Sequence, residues 1–236
     1  MAARGRRLRG PAALTGHGRR ILAGLAEADS VSVDPHKWLF QPAGTGCVLL
    51  RDPALLTRAF GVGLPGYLEA GAGGKGAEDD GVDFLHWGVE QTREFRALRL
   101  WLSLKVFGAD AFRAAVRRGL DAAEDVASYI ASHPAGLEVV TGPSLAVVTF
   151  RGPVALAGRA PLSPEDGDRL VDEICGELRS EGRAMVVGVT VGGRRVFRLC
   201  LVNPRVEGAR VRGVVDRIAE SLTARVASAE PAGGHT

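Results

Sequence analysis

Lysine is almost missing from this chain. Of its 30 basic residues only Lys37, Lys75 and Lys105 are not arginine. Cysteine is scarce too: Cys47, Cys175 and Cys200 stand far apart, with no CxxC pair and no Cys/His metal spacing. That excludes a disulfide framework and predicts reduced thiols in a cytoplasmic protein. No apolar run approaches the roughly 20 residues that a membrane-spanning helix needs. The N-terminus is basic, but no sustained apolar stretch follows it, which excludes a signal peptide. Charge of one sign is not segregated. The net charge of +3 comes from arginine interleaved with acids, except in the run Arg4, Arg6, Arg7 and Arg9. A nucleic-acid partner is therefore not expected.

Where lysine does occur becomes informative. Asp34-Pro35-His36-Lys37-Trp38 follows the strand-like run Val31-Ser32-Val33. A lone lysine in a loop is most often a solvated surface charge. Here Pro35 stiffens the turn, His36 supplies a donor for an anion, and Trp38 offers a core anchor. Arginine holds its proton too tightly to act as an amine nucleophile, whereas lysine gives it up when its surroundings favour the neutral amine. The segment is a candidate for imine chemistry.

With 236 residues and 46% hydrophobic content, the chain is large enough for one sizeable domain or two small ones. Residues 18–28 read as a short helix with Ile21, Leu22 and Leu25 on one face. Gly46–Leu50 reads as a buried strand closed by Arg51-Asp52-Pro53. Helix, strand, loop and strand in this order predict α/β layering. Residues 61–82 are glycine-rich and read as a lid-like loop. Within them Gly71–Gly76 fails the Walker pattern, because Gly76 follows Lys75. Residues 91–107 predict a helix packed through Phe95, Leu98, Leu102 and Leu104, stopped by Gly108. A second helix over 109–132 buries Phe112, Val116, Leu120, Val126 and Ile130. Strands follow at 137–140 and 146–150. A helix starts at Ser163-Pro164-Glu165, with serine as N-cap and proline at N1. Its stripe is Leu170, Val171, Ile174, Cys175 and Leu178. A hairpin turns at Gly192-Gly193, and a last helix spans about 207–226. The domain boundary is placed at 108, with an α+β domain over 109–228 and a disordered tail over 229–236.

Several segments together resemble the group II pyridoxal-phosphate-dependent amino-acid decarboxylases, of the aromatic-L-amino-acid decarboxylase type. They are Asp34–Trp38 with its lead-in Ala28-Asp29-Ser30, Ala59-Phe60, Pro65-Gly66-Tyr67-Leu68, Arg93–Trp101, Pro143–Arg151 and Arg198–Pro204. The likeness extends over about residues 10–225. It implies an α/β fold: part of the large domain of the aspartate aminotransferase-like fold over 1–108, then a small α+β domain. It implies that pyridoxal 5'-phosphate is bound as a Schiff base on Lys37, with His36 and Asp34 beside its phosphate. Tyr67 would match the loop tyrosine that returns a proton to Cα after CO2 leaves. An amino-acid substrate, aromatic or otherwise bulky, and a homodimer are implied as well.

The chain also departs from that family. The lysine lies in the second half of a family chain roughly twice this length, so the phosphate-binding turns and the ring-stacking histidine have no counterpart here. The aspartate that pairs with the pyridinium nitrogen falls at position 5, which is Gly5. The family segment Trp-Leu-His-Val-Asp-Ala-Ala-Tyr-Gly, written in plausible GC-rich codons and read from its third base, gives Ala-Ala-Arg-Gly-Arg-Arg-Leu-Arg. That is Ala2–Arg9 of this chain, and an out-of-frame origin of residues 1–9 is expected. Two functional expectations result. The chain is the C-terminal half of a decarboxylase that needs its N-terminal half, or it is a non-catalytic truncated or frameshifted fragment that keeps the family signature.

Overall fold

The computed structural model describes residues 9–61, 84–90, 92–153 and 162–228. Gly5, Tyr67, Gly71–Gly76 with Lys75, and the tail from 229 lie outside the described residues. The chain divides into two compact units. Among the described residues, Arg20–Gly108 belong to the first, and Pro11–Arg19 with Ala109 onward belong to the second.

The N-terminal segment contributes two short helices, α1 (Arg9–Ala12) and α2 (Gly16–Ile21). Thr15 caps the second: its hydroxyl accepts from the Gly18 amide at 2.9 Å. The first unit then runs through a 3-10 turn at Ala23–Glu27 into β1 (Ser30–Val33), α3 (Pro35–Trp38), β2 (Cys47–Leu50) and α4 (Ala54–Phe60). β1 and β2 pair antiparallel, from Ser30 opposite Leu50 to Val33 opposite Cys47. A further 3-10 turn covers Phe84–Trp87. A long helix, α5 (Arg96–Ala131), begins in this unit and breaks at Gly108, whose φ of 77° and ψ of 154° are not helical.

Three packing expectations fail in the first unit. Ile21 is exposed, and Leu22 and Leu25 are only half-buried, because the predicted helix over 18–28 ends at Ile21 and continues as a 3-10 turn. β2 is no buried strand: Val48 and Leu49 are 52% and 57% exposed, and among the described residues its sheet has two strands. Phe95, Leu98, Leu102 and Leu104 do not pack either. All four are exposed, along with Trp101, Val106 and Phe107. The first part of α5 carries a broad apolar surface, interrupted by Arg96, Arg99, Ser103 and Lys105, and such a surface is usually covered by another element. Among the described residues of this unit, only Val33 and Trp38 are large hydrophobics that reach burial.

The second unit has the core that the first lacks. α5 beyond Gly108 buries Phe112, Val116, Leu120, Val126 and Ile130. β3 (Glu138–Ser144), β4 (Val147–Arg151), β5 (Val187–Val191) and β6 (Arg194–Cys200) form an antiparallel sheet in the order β3-β4-β6-β5. α6 (Pro164–Ser180) lies against β6 and β5. Its Ser163 cap accepts from the Asp166 amide at 3.1 Å, and Val171, Ile174, Cys175 and Leu178 are buried. The β5–β6 hairpin turns through Gly192 and Gly193, with φ of 57° and 79°. Two consecutive positive φ values are what a type I′ turn needs, and glycine supplies them without strain. α7 (Gly208–Ser228) closes the unit, burying Val211, Val215, Ile218, Leu222 and Val226. Phe150 and Phe197 face each other across β4 and β6, fully buried and stacked with centroids 5.3 Å apart.

Candidate active site

The lysine does not sit in an open loop. Asp34 is the N-cap of a single helical turn, α3, and Pro35 occupies its first position, where the missing amide costs nothing. Phe40 takes a left-handed φ of 56°, and the Gln41 amide reaches back to the Pro35 carbonyl at 3.1 Å, closing the turn. Trp38 anchors this turn with no exposed surface. Among the described residues its indole N–H finds no hydrogen-bond acceptor. Gln41 then ties the turn to α5, donating to Ser103 Oγ at 3.3 Å.

This geometry brings Asp34 and Lys37 together. Lys37 Nζ lies 2.8 Å from Asp34 Oδ2, with the lysine side chain 31% exposed. The amine is thus held by a carboxylate and still open to solvent. His36 is fixed by the carbonyl of Thr45, 2.7 Å from its Nδ1. A carbonyl only accepts, so Nδ1 carries a proton. The remaining nitrogen, Nε2, donates to an anion only when the ring is an imidazolium.

Three of the four predicted site residues therefore share one helical turn. Asp34, expected beside a phosphate, contacts the amine of Lys37. Tyr67 lies outside the described residues. Thr45 and Gln41 were not predicted. Thr45 acts through its backbone carbonyl, for which a sequence carries no side-chain signal. The Asp34–Lys37 pair had a signal, an acid three residues before a base, which is readable only once the segment is known to be helical. Among the described residues no cluster of side chains could hold a metal ion, and no helix is long and apolar enough to cross a membrane.

A primary amine paired with a carboxylate, next to an imidazole and framed by two antiparallel strands, is chemistry suited to an aldehyde-bearing anion. The chain belongs to the pyridoxal-dependent decarboxylase family, whose conserved domain it matches over residues 9–152. It is 40% identical over 196 residues to an aromatic-L-amino-acid decarboxylase of Bacillus atrophaeus, covering 83% of this chain and 39% of the relative. It is 30% identical over 205 residues to tryptophan decarboxylase 1 of Oryza sativa subsp. japonica, covering 87% and 39%. A crystal structure of Oryza sativa TDC with PLP and tryptamine superposes with a TM-score of 0.79 at 28% identity, covering 93% of this chain and 44% of that one. The chain thus spans about two fifths of the length of the curated relatives it matches. Its architecture is a partial α/β fold of the pyridoxal-phosphate-dependent decarboxylases.

The family's cofactor is pyridoxal 5'-phosphate, an aldehyde and a phosphate monoester in one molecule. The side chains present fit it. Lys37 supplies an accessible primary amine for the aldehyde. His36 fits the phosphate as an imidazolium, through Nε2.

Proposed function

We propose that this chain supplies the cofactor-bearing lysine of a decarboxylase acting on an aromatic L-amino acid, and that it does so as the C-terminal portion of a complete enzyme. The observation that carries the reading is the Lys37 amine, half-buried and set 2.8 Å from Asp34 within the family match. When bound, pyridoxal phosphate withdraws electrons from the bonds at the substrate Cα, so that the carboxylate leaves as CO2. Lys37 holds the cofactor covalently through Nζ. Asp34, 2.8 Å from Nζ, would be placed to accept a proton from that atom. His36 orients the phosphate end from a ring pinned by Thr45. By its likeness to the family's loop tyrosine, Tyr67 would be the phenol that returns a proton to Cα.

Need for a partner polypeptide follows from the first unit. Its helix over 96–107 leaves Leu98, Trp101, Leu102, Leu104, Val106 and Phe107 exposed, and among the described residues its sheet has two strands. In this reading the N-terminal portion of the large domain covers those surfaces, and the complete enzyme is a cytoplasmic homodimer. The chain alone holds the cofactor weakly, since one lysine and one histidine are few contacts.

A chimera provides the test: the Bacillus atrophaeus relative with its matching portion replaced by residues 10–228 of this chain. The proposal expects CO2 release from aromatic L-amino acids by the chimera and none by the chain alone. A folded chimera that releases no CO2 from any aromatic amino acid would instead favour a non-catalytic fragment.

A further inference from the structure

The second unit contains an open cavity of about 650 Å³ between the C-terminal end of α5 and α7. Nothing in the decarboxylase reading uses it. Asp216 sits in its wall, and its Oδ1 accepts from the Tyr129 hydroxyl and from His133 Nε2, the latter at 3.2 Å. His133 Nδ1 accepts the Ala135 amide at 3.2 Å, so the ring donates only through Nε2. The hydrogen bond to Asp216 is the main cause that pushes the Tyr129 phenol above its ordinary titration range. The tyrosine therefore stays a neutral donor.

One helical turn beyond Asp216, Glu220 adds a second carboxylate at the rim, with no ion-pair partner among the described residues. No lysine or arginine lines the cavity. The guanidinium of Arg212 lies 5.7 Å from the Tyr129 ring centroid, but Asp125 holds it at 2.8 and 2.9 Å. The cavity thus presents uncompensated negative charge on one side. Pro134 and the tyrosine ring add apolar surface to the lining.

We propose that this cavity binds a small organic cation, best a primary arylalkylamine, with the ammonium on Asp216 and Glu220 and the ring on the apolar wall. The carboxylate that receives the ammonium is already fixed by two donors, so its placement costs little further ordering. The site does not depend on Lys37 or on any cofactor.

Calorimetric titration of the full cofactor-free chain with 2-phenylethylamine tests it. Saturable one-site binding is expected. Asp216→Asn weakens it about tenfold, because a charge-assisted hydrogen bond is lost. The neutral isostere 2-phenylethanol binds weaker by a similar factor. Thr223 is exposed at the rim, so Thr223→Trp blocks the cavity without entering the core. That variant keeps the test decisive if Asp216→Asn disturbs folding. Absence of saturable amine binding, equal affinity for the alcohol, or unchanged affinity in Thr223→Trp would overturn the proposal. None of these results bears on capture of cofactor by Lys37.

Discussion

Lys37 Nζ and Asp34 Oδ2 are 2.8 Å apart, and the same aspartate occupies the N-cap position of the helical turn that carries the lysine. The pair is partly solvent-exposed, so its contribution to stability is small, about 0.2–1 kcal/mol. In the proposed function the carboxylate is also an acceptor within reach of the Nζ proton. Asp34→Asn should therefore leave the denaturation midpoint of the chimera nearly unchanged while slowing attachment of pyridoxal phosphate to Lys37. Stopped-flow absorbance during cofactor addition measures the rate. An unchanged rate would assign Asp34 to the turn alone.

Phe197 is the most sensitive position predicted for the second unit. It is fully buried and stacked on Phe150 at 5.3 Å. Phe197→Ala should destabilise that unit by about 3–5 kcal/mol, combining lost burial with a cavity that the sheet cannot close. Urea unfolding followed by circular dichroism reads the change. A loss below about 1 kcal/mol would mean that the stack contributes little more than its edges.

Cys175 gives a pH prediction. Burial, with Asp172 adding to it, pushes its thiol from 9.0 up to about 11. The folded state keeps the proton when the unfolded chain has already lost it. Stability is therefore fully present below about pH 9 and falls as pH rises from 9 toward 11. Cys175→Val keeps the volume and removes the titration, so the gap between wild type and variant should move in favour of the variant over that window. Parallel pH dependences for the two proteins would contradict it.

Two glycines should respond to alanine with opposite signs. Gly108 has φ 77° and ψ 154°, a region nearly confined to glycine, and nothing lies within 4 Å of an added Cβ. Gly108→Ala should cost about 1–3 kcal/mol through backbone strain alone. Gly213 lies inside α7 with an ordinary φ and open space around it. Gly213→Ala should stabilise by about 0.5–1 kcal/mol. Thermal unfolding of both variants checks the pair.

The second unit was far more legible in the sequence than the first. The stripes Phe112–Ile130 and Val171–Leu178, the Ser163 cap and the Gly192-Gly193 turn are local signals whose partners lie in the same unit, so each expectation had something to pack against. Phe95, Leu98, Leu102 and Leu104 carry an equally strong pattern, but a pattern reports that a face is apolar and says nothing of whether its cover is in this chain. The same holds for Val48 and Leu49 in β2. At the lysine, residue types revealed the chemistry, while the helical turn that pairs Asp34 with Lys37 and the Thr45 carbonyl that fixes His36 became visible only with coordinates. The Tyr129–Asp216–His133 cluster joins residues up to 87 positions apart, beyond the reach of any spacing argument.

The central claim is that Lys37 is the residue that carries the cofactor. Borohydride reduction of the chimera after incubation with pyridoxal phosphate, followed by peptide mass mapping, tests it most directly. The account predicts a reduced pyridoxyl adduct on Lys37, absent in Lys37→Ala, with Lys75 and Lys105 unmodified. An adduct that persists in a folded Lys37→Ala protein, or a folded wild-type chimera with no adduct at Lys37, would contradict it.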